Sequence, residues 1–375
     1  MFQYLRRRQM LICICSILGL YILFKVHVPG LNRSPYALVA VAKHDDVTPG
    51  VHIDDDINVY PNRNDDVAHA SDDTNDVAWK NAGTSKNEEV IKEVNLPEDG
   101  ELQLARDLVD LDPEELFNRT VIITGFSQNH FKEAKGMLGS VQKFLPHTKI
   151  IVYDLGLRKE SIKEVKRMCN VKLRKFDSSK YPSHVAKLLT YAFKPVIIEE
   201  ALREFDVVFW CDASARFQRD PRVMYPYLKE QHGFMRRIVR YDPKLIISRT
   251  NPAMFKELGV DRVKYSKDVD HAPSFEANRL LFINSTLIRE KLITPWVDCA
   301  LRRQCIAPDH STLNLNKAGP LYTHRYDQAA ISILAYKNMY DAWTKNNDRT
   351  KLFVSVVDLS RTTIGWQTVQ YCSTE

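Results

Sequence analysis

No GxGxxG follows any strand-like run in this chain, no GxxxxGK[ST] occurs anywhere, and GxSxG is missing as well. These absences exclude the dinucleotide-binding fingerprint, the P-loop and the nucleophile elbow of the α/β-hydrolases. No CxxC or CxxH spacing is present, which removes the usual zinc frameworks. Acidic residues are absent from the first 43 positions, which carry 6 Lys/Arg, whereas 44–115 hold 21 Asp/Glu against 5 Lys/Arg. That leaves 42 basic and 26 acidic residues in 116–375, so a net charge of +6 conceals a C-terminal part of about +16. Such a charge concentrates anionic partners, although its sign alone does not choose among nucleotides, sulfated glycans and nucleic acid. With 44% hydrophobic and 27% charged residues in a chain of 375, a wholly disordered or collagen-like polypeptide is excluded and a sizeable core is available.

At the N-terminus Arg6, Arg7 and Arg8 precede an unbroken apolar run from Met10 to Phe24, extended toward Val28 when Lys25 and His27 snorkel. No small-x-small cleavage pair follows. The pattern predicts a cytosolic tail over 1–9, a transmembrane signal anchor over 10–28 and a lumenal remainder, the positive flank staying inside. A short span suits an ER or Golgi membrane. Residues 29–115, with Asp54-Asp55-Asp56, Asp65-Asp66 and Asp72-Asp73 and little periodicity, read as an acidic, disordered stem.

Five cysteines follow the anchor, Cys169, Cys211, Cys299, Cys305 and Cys372, so at least one stays outside an intrachain pair. Cys299 and Cys305 are near enough in sequence for a local disulfide in an oxidising compartment. Asn32, Asn118 and Asn284 each begin an N-x-[ST] tripeptide.

From 116 onward, strand-like and helical patterns alternate. Residues 120–126 form a β-branched run, then Phe131, Ala134, Leu138, Val141 and Leu145 recur at helical spacing. Further strands are expected at 149–154, 171–176 and 205–211, with helices over 159–168 and 184–203. This is the signature of a parallel α/β sheet, whose ligands gather at the carboxyl ends of its strands. The strand at 205–211 runs directly into Asp212, Ala213 and Ser214. On an extended chain, Asp212 and Ser214 would share one side and could meet one divalent cation or a ribose and diphosphate.

The order of these features, with EANRLLFIN and HRYDQAAISIL further along, resembles the GT-A fold of nucleotide-diphospho-sugar transferases, particularly the glycogenin-like group. The phrases SVQKFLPHTKIIVYDLGL, YAFKP, WCDAS and RYDQ also resemble a nematode-expanded family of single-pass membrane proteins. The resemblance covers about 117–360. It implies a mixed, mostly parallel sheet flanked by helices, forming a lumenal catalytic domain over 116–375. It further implies a type II membrane glycosyltransferase that moves a sugar, most simply from a UDP-sugar, to a glycan or glycoprotein acceptor of anionic character. Nucleic acid is not an expected partner. Thr124, Gly125, Phe126 and Asn129 take the nucleotide-binding turn, Asp154 a base or ribose contact, and Lys194, Asp212 and Arg216 the diphosphate. Asp212 and Ser214, with His324, would ligate Mn²⁺ or Mg²⁺. Asp327, Gln328 and Glu276 are the implied catalytic residues, and the Asp-Gln pair is closer to the retaining enzymes. Ser214 departs from the Asp-x-Asp pattern by replacing a carboxylate with a hydroxyl. That departure motivates the alternative, a lumenal lectin or assembly partner that kept the fold and lost turnover.

Overall fold

The computed structural model describes residues 108–239, 245–267, 273–314, 320–339, 347–362 and 368–372. The expected tail, anchor and nearly all of the stem lie outside the described residues. Among the described residues no helix is long and apolar enough to cross a membrane. The described residues begin at Leu108, which is buried. The first helix, α1 (Pro113–Asn118), has a proline at its first position and is capped by Asp112, whose Oδ1 accepts from Glu114 N–H at 2.9 Å. It buries Leu116 and Phe117, the latter edge-on to Tyr225 at 5.4 Å.

Elements then follow as β1 (Thr120–Phe126), α2 (Phe131–Phe144), β2 (Ile150–Asp154), α3 (Lys159–Arg167), β3 (Val171–Lys175), α4 (Phe193–Leu202), β4 (Val207–Cys211) and β5 (Ala215–Phe217). Next come β6 (Phe234–Val239), β7 (Ser274–Ile283), α5 (Thr294–Leu301), β8 (Ser311–Thr312), β9 (Tyr322–Thr323), α6 (Tyr326–Asn338), α7 (Asn347–Val356) and β10 (Val357–Leu359). The main sheet has the order β3-β2-β1-β4-β7-β6. Its first four strands pair in parallel, and β7 runs antiparallel to both β4 and β6. Five strands therefore point one way and β7 alone opposes them, giving the mixed, mostly parallel α/β sheet expected. Outside it, β10 pairs antiparallel with β5, and β8 pairs in parallel with β9.

Strand alternation divides the core into two layers. Val208 and Trp210 pack with Ile123, Ile151 and residues of α4, α5 and α6 on one face of the sheet. Val207, Phe209 and Cys211 pack on the other with Ile122, Val152, α2 and α7. All five residues of β4 are buried on both faces, which is why this segment reads as a continuous apolar run.

The helix expected over 184–203 is shorter. Residues Ser183–Ala186 and Leu188–Thr190 form 3₁₀ turns, and Tyr191 adopts a left-handed conformation with φ 53°, so α4 starts at Phe193. Pro195 explains the limit. A proline fits the first turn of a helix, where its missing N–H has no intrahelical role, and would break a helix already two turns old.

Two disulfides form. Cys299–Cys305 is the local pair expected, and Cys169–Cys372 joins the start of β3 to the C-terminal segment across 203 positions. Cys211 remains free and buried, and burial pushes its thiol pKa up.

Candidate active site

The parallel strands end on a cleft of about 180 Å³. β1 contributes Gly125 and Phe126 and the following turn adds Ser127, Asn129 and His130. From beyond β4 come Asp212, Ala213 and Ser214, and Glu133, Tyr191, Lys194 and Arg361 complete the polar lining. Six of the residues expected here, Gly125, Phe126, Asn129, Lys194, Asp212 and Ser214, thus meet in one place. A Cβ at Gly125 would lie 3.3 Å from the Leu155 side chain and 3.5 Å from the Trp210 ring, so a side chain there would crowd the floor of the cleft. A larger hollow of about 400 Å³ opens at the opposite, amino edge among Asn118, Arg119, Lys149 and Phe205. Arg119 is already paired there with Glu115 and Asp206, and no catalytic carboxylates converge on it.

Lys194 is the centre of the site. Its Nζ donates to the Ala277 carbonyl at 2.9 Å and forms ion pairs with Asp212 Oδ1 at 3.2 Å and Asp327 Oδ2 at 2.9 Å. The Asp327 contact falls outside hydrogen-bond geometry, leaving that buried oxygen with no other partner. The ammonium also lies 5.6 Å from the Tyr191 ring and 5.5 Å from that of Trp210, a cation–π setting. Burial acts against charging Lys194, and Asp212 and Asp327 outweigh it, so its pKa is raised. Burial pushes the Asp327 pKa up, with Lys194 opposing.

The sheet creates this convergence through an irregularity in β7. Arg236 of β6 faces Leu280, and Ile238, two residues on, faces Phe275, so three extra residues of β7 bulge from the ladder. In that bulge the Ala277 carbonyl accepts from Lys194, and the Asn278 carbonyl accepts from Asp212 N–H at 2.8 Å.

Asp212 and Ser214 do not lie on an extended chain. A turn closes on them, with Ala215 N–H donating to Asp212 O at 2.9 Å, yet both still face the cleft. Asp212 Oδ1 also accepts from Trp210 Nε1 at 2.6 Å, and its side chain is 30% exposed. A divalent cation would find one carboxylate and one hydroxyl here, a sparse set that Mg²⁺ accepts when substrate phosphates and water complete its shell. Among the described residues no three His, Cys, Asp or Glu cluster as metal ligands.

His324 does not complete such a set. It is fully buried, its Nδ1 accepts from Asn251 N–H at 3.1 Å, and its Nε2 lies 3.0 Å from the Ile306 carbonyl, to which it donates. Burial holds its pKa down at about 4, below the 6.5 usual for a histidine. The unfolded chain takes up a proton below 6.5 that the folded chain refuses until about 4. Stability is therefore expected to fall across that window by about 3 kcal/mol as pH drops. Urea unfolding at pH 7 and pH 4 measures the fall, and His324→Gln should flatten the slope. An unchanged slope in the variant contradicts this assignment.

Other expected positions carry structural duties. Arg216 is fully buried and donates to the carbonyls of Ala213, Ala215, Glu133 and Thr362. Burial pushes its pKa down to about 10. Gly136 is what admits it, since a Cβ there would lie 2.7 Å from the guanidinium. Asp154 shapes the turn after β2, Oδ1 accepting from Gly156 and Leu157 N–H at 2.8 and 2.7 Å. Thr124 is fully buried within β1, off the cleft. Glu276 is buried between Arg237, 3.0 Å from Oε1, and Arg279 on Oε2. Gln328 is buried beside Asp327 in the first turn of α6, and Trp296 is core, its Nε1 donating to Asp327 O at 3.0 Å.

Sequence reasoning missed Trp210, Tyr191, His130, Glu133 and Arg361. The i, i+3 spacing of His130 and Glu133, whose Nδ1 and Oε2 lie 2.9 Å apart, was a usable signal. Tyr191 had none. It and Tyr326, φ 42°, are both left-handed with rings 6.1 Å apart. For bulky residues this conformation costs on the order of 1–2 kcal/mol each and concentrates at functional sites.

The family model described as a protein of unknown function (DUF1647) matches residues 88–199, which include β1 to β3 and most of α4. No curated protein matches. Among solved structures, the bifunctional glycosyltransferase WbbM is similar at 13% identity and a TM-score of 0.37, over 58% of this chain and 38% of its own. The galactosyltransferase LgtC, in complex with donor and acceptor sugar analogs, is similar at 13% identity and a TM-score of 0.32, over 47% of this chain and 62% of its own. Core-mannan synthase A from Aspergillus fumigatus, in an Mn/GDP form, is similar at 10% identity and a TM-score of 0.36, over 58% and 69%. The chain thus spans less than two thirds of the first two.

Proposed function

We propose that this chain is a glycosyltransferase that transfers a sugar from a nucleoside diphosphate donor, most simply a UDP-sugar, to a hydroxyl of a glycan or glycoprotein. One observation carries the reading: Asp212 and Ser214 emerge from the central parallel strand into a cleft also walled by the β1 turn, with Lys194 fixed beneath. Gly125, Phe126 and Asn129 would hold the nucleoside. The cleft walls shape the pocket for an oxocarbenium-like sugar, and charge at Asp212 and its surroundings orients the departing diphosphate. A divalent cation shared by Asp212, Ser214 and the phosphates would supply Lewis-acid stabilisation of the leaving group.

The acceptor proton needs a base. Glu276 is held by two arginines and Asp327 lies behind Lys194, so neither carboxylate lines the cleft. Asp212 and Glu133 do line it, the latter paired with His130. The Asp-Gln resemblance favours a retaining reaction in which the C–O bond to the diphosphate breaks, the acceptor oxygen bonds to the same carbon, and the departing phosphate oxygen takes the proton.

We further propose an ER or Golgi location for it, as a single-pass type II enzyme with a lumenal domain. Both disulfides fit an oxidising lumen, and the Arg-flanked apolar run at 10–28 fits the anchor. Asn118 is exposed and free to bear a glycan, whereas Asn284 donates its amide to Leu202 O at 2.7 Å.

A second reading, a nucleotide-sugar-binding protein without turnover, is favoured by one fact: Asp212 and Asp327, both expected in the site, are already paired with Lys194. Release of nucleoside diphosphate from a nucleotide-sugar panel with Mn²⁺ separates the two. Turnover by the full chain, lowered about 100-fold or more in Asp212→Asn, supports the enzyme. Binding without release supports the second reading, and neither binding nor release removes both.

A further inference from the structure

A diphosphate entering this cleft needs a cation free to face it, and the two basic residues assigned to it from sequence are engaged elsewhere. Lys194 has three N–H groups and three oxygen neighbours, the Ala277 carbonyl, Asp212 and Asp327. Two carboxyl groups already surround its ammonium, so a phosphate would have to compete with both. Arg216 is buried, directs its N–H groups to four backbone carbonyls, and is not part of the cleft lining.

Among the described residues lining the cleft, Arg361 is the remaining lysine or arginine. It follows β10, whose pairing with β5 fixes the chain. Ser360 N–H then donates to the Ser214 carbonyl at 2.8 Å, pinning the next residue beside the turn that carries Asp212 and Ser214. Arg361 lines the cleft, with a side chain 52% exposed. Its ion pair with Glu133 Oε1 is loose, at 4.0 Å, and that oxygen is buried without a hydrogen-bond partner. The guanidinium is therefore positioned by the backbone, with most of its five donors available.

We propose that Arg361 is the diphosphate-binding residue of this cleft, an inference that rests on the nucleotide-sugar reading above and names the cation that reading requires. A guanidinium meets two phosphate oxygens bidentately, which a lysine cannot reproduce. Glu133 stands beside the guanidinium and is displaced as its partner when phosphate arrives. The local chemistry selects a nucleoside diphosphate over the bare nucleoside, because only the former brings the anion.

Calorimetric titration of the full chain with UDP and with uridine tests this. Wild type is expected to bind UDP, and Arg361→Gln to weaken UDP about tenfold or more while leaving uridine affinity unchanged. Arg361→Lys should recover only part of the loss. Because the side chain is exposed, an unchanged melting temperature and unchanged uridine binding establish that the variant is folded with its cleft intact. UDP affinity equal to wild type in Arg361→Gln overturns the assignment of Arg361 alone. Failure of the wild-type protein to bind either probe overturns the nucleotide reading and this assignment with it.

Discussion

Lys194→Met should destabilise the folded chain by about 3–5 kcal/mol, since it strands two carboxylates that now share one ammonium. The loss is unequal between them. Asp212 is 30% exposed and keeps a bond from Trp210, whereas Asp327 is buried and has no other partner for Oδ2. Most of the cost is therefore expected from Asp327, and Lys194→Met with Asp327→Asn should recover the larger part of it. The pH dependence follows the same logic. Burial already raises the Asp327 pKa, and without Lys194 it rises further. A carboxyl whose folded pKa lies above its unfolded value stabilises below the unfolded pKa and loses that contribution as pH increases. The single variant should thus be less impaired at pH 4 than at pH 7. Urea unfolding at both values measures this, and a loss below about 1 kcal/mol would show that Lys194 is not the keystone of the site.

The second large effect concerns the disulfides. Replacing Cys169 and Cys372 by serine opens a closure of 203 positions, against 6 for Cys299 and Cys305. Chain entropy gives about 5 kcal/mol for the first pair and about 2 for the second. Equal losses for the two pairs, measured by urea unfolding of each double variant, would contradict the entropic account.

Local periodicity was enough to read the parallel half of the fold. The residues of β1 are those expected, and Phe131, Ala134, Leu138 and Val141 all turn inward from α2. In the same way, the apolar run of β4 announced a strand buried on both faces, and the polar residues after it announced a cleft. What pairs with what was less legible. The reversal of β7 and its bulge depend on contacts between segments some 40 positions apart, and no residue pattern within β7 encodes them. For the same reason Lys194 could be placed near a diphosphate but not seen to be enclosed by Asp212, Asp327 and a carbonyl from β7. Arg216 and His324 show a related limit. A polar residue beside a motif reads as functional until its hydrogen bonds are known, and both turned out to hold backbone together.

Trp210 leaves the molecule with an optical gauge. Its indole ring borders the cleft while its N–H rests on Asp212, so the chromophore feels directly whatever alters the charge of that carboxylate. Ligands too colourless to follow by absorbance would still register in its emission, at the very point where the sheet meets its cargo.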